Sequence, residues 1–380
     1  MTIKVMSVFG TRPEAIKMAP VVLGLQADSR FESIVCVTAQ HREMLDQVLE
    51  IFNITPDFDL NLMKHGQSLE DVTSAVLLGM EDVLKKTQPD LLLVHGDTTT
   101  CFSAALAAFY KKIPIGHVEA GLRTGNMNAP FPEEANRALT ARLAHLHFAP
   151  TETAKNNLLS ENIKPENVTV TGNTVIDALL IVREKVSQEK EQTWIKFFGE
   201  KLFNKIADPQ RKLILITGHR RENFGQGFIN LCEAIKNLAC KYPDWDFVYP
   251  VHLNPNVQKP VNSILGNLDN VALIKPTDYF TFVWLMDKCD LILTDSGGVQ
   301  EEGPSMGKPV LVMRDVTERP EAVTAGTVKL VGTNKEKIQQ GVEETLTNPK
   351  KYNDMARAIN PYGDGQSTPR ILNFIETSLS

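Results

Sequence analysis

The sequence predicts an α/β fold of two doubly wound parallel-sheet domains. Three observations carry this. At 380 residues the chain is long for one average domain. Short β-rich runs alternate with longer amphipathic stretches from end to end, the pattern of right-handed βαβ units. Most of the runs are continuously apolar, as strands covered on both faces by helices are. In the first half the runs are Lys4–Phe9, Ser33–Thr38, Leu91–His95, Ile115–Glu119, Leu146–Ala149 and Val168–Thr171. In the second half they are Leu213–Thr217, Phe247–Pro250, Val271–Ile274, Leu291–Thr294, Val310–Met313 and Val328–Val331. A junction is expected near Gly172-Asn173-Thr174, giving domains over 1–172 and 173–365. The polar stretch Ser187 to Arg211 reads as helix and surface loop with a solvated face. Beyond Gly363-Asp364-Gly365, a helix from about Thr368 to Leu379 is placed to return to the first domain, which 366–380 would complete.

Composition narrows the function. The hydrophobic share of 42% and charged share of 23% are those of a soluble globular protein. A net charge of −6 argues against a nucleic-acid partner. The five scattered cysteines, Cys36, Cys101, Cys232, Cys240 and Cys289, have no metal-ligand spacing. Their odd number argues against a secreted disulfide framework, so they are expected reduced and packed. No run approaches the roughly 18 apolar residues of a membrane span. The chain opens directly on a strand, without a signal-peptide layout, and the expected location is the cytoplasm.

Chemistry-bearing residues gather where strands end. The most informative stretch is Thr294-Asp295-Ser296-Gly297-Gly298-Val299-Gln300-Glu301-Glu302. An apolar strand, a small-residue turn and a helix start make an anion site, because open N–H groups and the helix dipole both face the ligand. Glu301 and Glu302 suit the first turn and can accept sugar hydroxyl protons. A phosphate joined to a hydroxyl-rich group fits, although glycines in such a turn also serve an ordinary bend. Gly10-Thr11-Arg12-Pro13-Glu14, His95-Gly96-Asp97, Glu119 to Arg123, Gly218 to Asn223 and His252-Leu253-Asn254 hold comparable strand-end positions. Ligands sit there in open parallel sheets.

The ordered segments FGTRPEAIKMAP (Phe9–Pro20), HGDTTT (His95–Thr100), HVEAGLRTGN (His117–Asn126) and PFPEEANR (Pro130–Arg137) resemble the non-hydrolysing UDP-N-acetylglucosamine 2-epimerase family. TGNTVIDAL (Thr171–Leu179), TGHRREN (Thr217–Asn223), TDSGGVQEEGP (Thr294–Pro304) and TERPEA (Thr317–Ala322) continue the resemblance across nearly the whole chain. It implies a GT-B-like architecture: two Rossmann-like domains with the active site in the cleft between them. It implies interconversion of UDP-GlcNAc and UDP-ManNAc by a homodimer without cofactor or metal. The product of such enzymes feeds surface polysaccharide synthesis.

That chemistry explains the residue types. The C2 hydrogen of GlcNAc is not acidic, so a route without redox expels UDP from C1 while C2 loses its proton. UDP then adds back to the 2-acetamidoglucal, with a proton delivered to the opposite face. Cations and N–H donors are needed for the diphosphate and carboxylates for proton transfer. Arg12 can fork onto phosphate oxygens. His219 can hydrogen-bond the phosphate or donate a proton to it, and Ser296, Gly297 and Gly298 would hold the diphosphate. Glu302 resembles the family residue that accepts from the ribose, with Glu301 its rival. Asp97, Glu119 and Glu133 match family positions important for catalysis. Neighbouring carboxylates are expected to raise one another's pKa, so that one serves as acid. Glu133 and Glu134 can instead be acids of a helix N-terminus. Lys17 and Arg137 read as charge partners or sugar contacts, and Arg319 and Glu321 as ligand-closing residues.

A second, activating UDP-GlcNAc site is also implied around Gln40, His41, Arg42, Glu133, Arg220 and His252. Glu43 stands where a glutamine is common and Gly66 where an arginine is common, which weakens that expectation. Three alternatives remain: a hydrolysing epimerase, a GT-B glycosyltransferase and a non-enzymatic nucleotide-sugar sensor. The GHRREN segment speaks against the first. EAGLRTGN and FPEEANR speak against the second, and the abundance of acid–base groups against the third.

Overall fold

The computed structural model describes residues 2–39, 42–62 and 66–379. The chain divides into two compact units. One comprises Met1–Ile181 with Tyr362–Ser380, the other Val182–Pro361. The division falls within the helix Thr174–Ser187, later than the expected junction at Gly172. The first turns of that helix belong to the first unit because Asp177 accepts hydrogen bonds from the backbone of Ser367 (3.3 Å) and Thr368 (2.8 Å). The returning chain is joined just upstream, where Asn173 N–H donates to the Tyr362 carbonyl at 2.7 Å.

The first unit contains β1 (Ile3–Phe9), β2 (Phe31–Val37), β3 (Phe58–Asp59), β4 (Leu91–His95), β5 (Ile115–Val118), β6 (Leu146–Ala149) and β7 (Val168–Val170). They form one parallel sheet in the order β3-β2-β1-β4-β5-β6-β7. The edge strand β3 has two residues, too few to leave a periodic signal in the sequence. Met6, Val8, Leu92 and Val94 pack with Val76 and Met80 of the helix Leu69–Thr87, all buried. The C-terminal helix Ser367–Leu379 lies against the helix Arg12–Ala27, so closely that a methyl on Gly24 would come within 2.5 Å of Thr368 Cγ2.

The second unit contains β8 (Lys212–Thr217), β9 (Trp245–Pro250), β10 (Val271–Ile274), β11 (Leu291–Thr294), β12 (Val310–Val312) and β13 (Val328–Leu330). This sheet is also parallel, in the order β10-β9-β8-β11-β12-β13. The stretch expected as helix and surface loop forms two short helices, Glu191–Phe198 and Glu200–Ala207, hinged at Gly199. It is less solvated than its charges suggest. Trp194 is buried and stacks on Trp284 at 4.5 Å between ring centroids, and Phe198 stacks on Trp284 at 5.0 Å.

Each sheet reverses its winding once, between β1 and β4 in the first unit and between β8 and β11 in the second. Such switch points open a crevice at the carboxyl ends of the flanking strands. The loops after these four strands carry Gly10 to Arg12, Gly96 and Asp97, Gly218 to Arg220, and Asp295 to Gly298.

Candidate active site

In the first unit, the turn after β1 is shaped by close packing. A methyl on Gly10 would fall 2.0 Å from Thr38 Oγ1, so no larger residue fits there without displacement. Thr11 caps the following helix. Glu14 completes a capping box by accepting from the N–H of Thr11 at 2.8 Å and of Gly10 at 3.0 Å. The other Glu14 oxygen accepts from Thr98 Oγ1 at 2.5 Å, which ties the β1 turn to the β4 turn. Arg12, first residue of the helix, is exposed beside that dipole end.

Glu119 directly follows β5 with a left-handed backbone (φ 62°), uncommon for a residue with a side chain. Its carboxylate is 10% exposed and pairs with Lys17. His95 Nε2 lies 3.5 Å from Oε2, and Asn173 Nδ2 donates to that oxygen at 3.0 Å. Burial alone would push the carboxyl up. The Lys17 ammonium and His95 outweigh burial and hold it well below the usual carboxylate range. Asp97 pairs with Arg137, and its backbone carbonyl accepts from Asn136 Nδ2 at 2.9 Å. Each carboxylate therefore has a cation beside it. The expected mutual elevation of neighbouring carboxylates does not arise at Glu119, where cations lower the pKa.

The helix Glu133–Leu143 separates its two leading acids. Glu134 is buried and spent on structure. It accepts from the N–H groups of Thr124 and Gly125, both at 3.0 Å, and pairs with Arg137 at 3.2 Å. Glu133 is partly exposed at the helix start and stays with the candidate chemistry.

In the second unit, Ser296 precedes the helix Gly297–Ser305, and no side chain caps that helix start. Its leading N–H groups have no intrahelical partner. A methyl on Gly297 would lie 3.7 Å from Nη2 of both Arg220 and Arg319, so two guanidinium groups flank this N-terminus. Arg319 Nε donates to Glu301 at 2.5 Å. Glu302 instead accepts from the Tyr279 hydroxyl at 2.7 Å, with its other oxygen toward Gly298. Burial, then the Glu302 charge, raises the Tyr279 phenol well above its ordinary range and keeps it a donor. The two acids differ in these contacts: Glu301 accepts from Arg319, and Glu302 faces the glycine turn. Behind the turn, fully buried Asp295 accepts from the backbone of His219 and Arg220, both at 2.8 Å. The His219 ring is half-exposed and stacks on His252 at 5.3 Å.

The family model described as UDP-N-acetylglucosamine 2-epimerase matches residues 24–376. The chain belongs to the UDP-N-acetylglucosamine 2-epimerase family. It is 57% identical to the UDP-N-acetylglucosamine 2-epimerase of Escherichia coli K12, over 99% of each chain. A crystal structure of the Neisseria meningitidis UDP-GlcNAc 2-epimerase bound to UDP-GlcNAc is similar at 54% identity with a TM-score of 0.88. It covers 99% of this chain and 100% of that one. A Listeria monocytogenes structure reaches a TM-score of 0.92 at 49% identity, covering 100% of this chain and 97% of that one. The two parallel-sheet units have the GT-B-like fold of these isomerases.

Within this family frame, the first unit brings Lys17 to Glu119 and Arg137 to Asp97, while the second brings Arg220 and Arg319 to Gly297. Of the second-site residues, Gln40 and His41 lie outside the described residues. Arg42 pairs with Asp46 at 2.9 Å and with Asp59. Glu43 is exposed, and Gly66 is exposed with nothing within 4 Å of a methyl built on it. Among the described residues, no group of three or more His, Cys, Asp or Glu is placed to hold a metal ion. Sequence reasoning missed the roles of His95, Asn173, Tyr279 and Asp295. His95 and Asp295 stood in strand-end motifs already singled out. Tyr279 starts a helix whose pattern reads as core, and nothing in the sequence pointed to its contact with Glu302.

Proposed function

We propose that the epimerase activity of this chain interconverts UDP-GlcNAc and UDP-ManNAc without net hydrolysis, by eliminating UDP and adding it back. The observation that carries this reading is Glu119, a nearly buried carboxylate kept ionised by Lys17 and His95. An ionised carboxylate shielded from water can accept a proton, and Lys17 and His95 keep it in that accepting form while lowering its basicity. In the forward step one carboxylate of the set Asp97, Glu119 and Glu133 takes the C2 proton. The C–H electron pair becomes the C1=C2 bond, the C1–O bond breaks, and UDP keeps that electron pair. In the return step a UDP oxygen re-forms the bond to C1, and a second carboxyl group delivers a proton to the opposite face of C2. The leaving charge falls on the diphosphate. Arg220, Arg319, His219 and the open N–H groups at Gly297 and Gly298 are its stabilisers, and Arg12 is a further cation for it. Glu302, held by Tyr279, is the ribose acceptor. The Neisseria relative bound to UDP-GlcNAc supports the choice of substrate. The same reading assigns the product to surface polysaccharide synthesis by a cytoplasmic homodimer.

The test follows the C1–O bond. UDP-GlcNAc labelled with ¹⁸O in the bridge between C1 and the β-phosphorus is incubated with the protein, and the recovered substrate is analysed by ³¹P NMR. Scrambling of label into the non-bridging β-phosphate positions is expected, because eliminated UDP can rotate before it re-adds. Epimer formation with the label fixed in the bridge would contradict elimination.

A further inference from the structure

Asp295 is absent from the chemistry above, yet every atom of its carboxylate points to a task. Oδ2 is fully used. It accepts from the N–H groups of His219 and Arg220 at 2.8 Å each and from Asn223 Nδ2 at 3.3 Å. Oδ1 is buried, makes no hydrogen bond, and lies 3.6 Å from His219 Nδ1. A buried carboxylate oxygen is normally satisfied, and that imidazole nitrogen is a candidate donor. A charge-assisted bond between the two would be about 2.8 Å long.

A face of the His219 ring is also covered. His252 stacks on it with an interplanar angle of 16°. His252 Nδ1 accepts from the N–H of Asn254 at 3.1 Å, which leaves its Nε2 to carry the ring proton. Two stacked imidazolium rings would repel. The remaining polar neighbours do not compete for Nδ1. Arg220 reaches toward Glu318 at 3.4 Å, and the Tyr249 hydroxyl donates to the Gly218 carbonyl at 2.9 Å.

We propose that Asp295 is the positioning residue for His219: it holds the proton on Nδ1, fixes the ring plane, and leaves Nε2 as the nitrogen that meets the departing diphosphate. The proposal rests on the reading that His219 serves the diphosphate. When UDP binds, His219 lies between two anions and takes up a proton at Nε2. Burial, His252 and Arg220 all oppose the imidazolium in the free protein, and Asp295 alone supports it. Protonation is thereby coupled to the arrival of the diphosphate.

The test is long-range ¹H–¹⁵N NMR of the histidine rings, with His219 assigned by loss of its signals in His219→Asn. Free wild-type protein is expected to show His219 with Nδ1 protonated and Nε2 bare, and UDP should raise its pKa by about one unit or more. Asp295→Asn retains an amide oxygen for the two backbone N–H groups but turns an N–H donor toward Nδ1. It should flip His219 to the Nε2–H form, abolish the UDP-linked rise and lower turnover about 100-fold or more. A purely structural role would not move the tautomer. A wild-type His219 protonated on Nε2, read without any variant, overturns the proposal. So does an Asp295→Asn protein that keeps the wild-type tautomer and pKa. If UDP binds without perturbing His219 at all, the diphosphate assignment falls, while the Asp295–His219 pairing is still judged by the tautomer.

Discussion

Replacing Lys17 by Met removes the cation beside Glu119 while keeping an apolar stem of similar length. The two side chains are 13% and 10% exposed, so solvent screens them weakly. Unit charges about 4 Å apart at an effective dielectric near 20 interact by about 4 kcal/mol, or ~3 pKa units. His95 at 3.5 Å and Asn173 at 3.0 Å remain and recover part of this. A rise in the Glu119 pKa is therefore expected on losing Lys17. In the wild type the Glu119 pKa is lowered, so its carboxylate should limit kcat/KM only at strongly acidic pH. In Lys17→Met the acid limb should move to higher pH, with activity recovering as pH rises. Stability should also fall, by up to about 3 kcal/mol near neutral pH, because a buried carboxylate has lost its ammonium partner while His95 and Asn173 remain. Steady-state pH profiles with urea unfolding measure both effects. A uniform loss of rate at every pH, with an unmoved acid limb, would refute the argument and make Lys17 a substrate contact.

Further outcomes follow from the same geometry. Glu119→Gln, Asp97→Asn and Glu133→Gln should each lower kcat by about 100-fold or more while UDP affinity by calorimetry stays near wild type. Arg319→Ala should weaken UDP binding about tenfold or more, since it removes a guanidinium from Gly297 and from the buried Glu301; unchanged affinity would place the diphosphate elsewhere. Burial pulls His117 down to about 3 and His147 to about 4, both from 6.5. The native state binds fewer protons there than the unfolded chain. Stability should therefore be full above pH 6.5 and fall as pH drops, until about pH 4 for His147 and about pH 3 for His117. Urea midpoints between pH 7 and pH 4 should show this decline, and His147→Asn should flatten it. Trp194→Ala should cost about 3–5 kcal/mol in urea unfolding, because it empties one side of the Trp284 stack.

The parallel sheets were legible because their strands are apolar on both faces, and twelve runs read from the sequence correspond to observed strands. The exception, β3, is too short to show a period. The helices Glu191–Phe198 and Glu200–Ala207 were read as more solvated than they are. Their charges dominate the composition, while burial of Trp194 depends on Trp284, ninety residues away. Candidate ligand-facing residues could be named from strand-end position and residue type. Residues that hold those residues could not, because their role exists only in contacts. Asp295 beneath His219, Asn173 beside Glu119 and Tyr279 on Glu302 each join segments far apart in sequence. The different contacts of Glu301 with Arg319 and of Glu302 with Tyr279 are likewise not revealed by helix phase alone.

The central claim is tested most directly by proton NMR of UDP-GlcNAc incubated with the purified protein in deuterated water, without added nicotinamide cofactor or metal. The account predicts a growing UDP-ManNAc signal with deuterium entering at C2 of both epimers, and no net release of UDP. Accumulation of free ManNAc and UDP, or epimer formation with the C2 hydrogen retained, would contradict it.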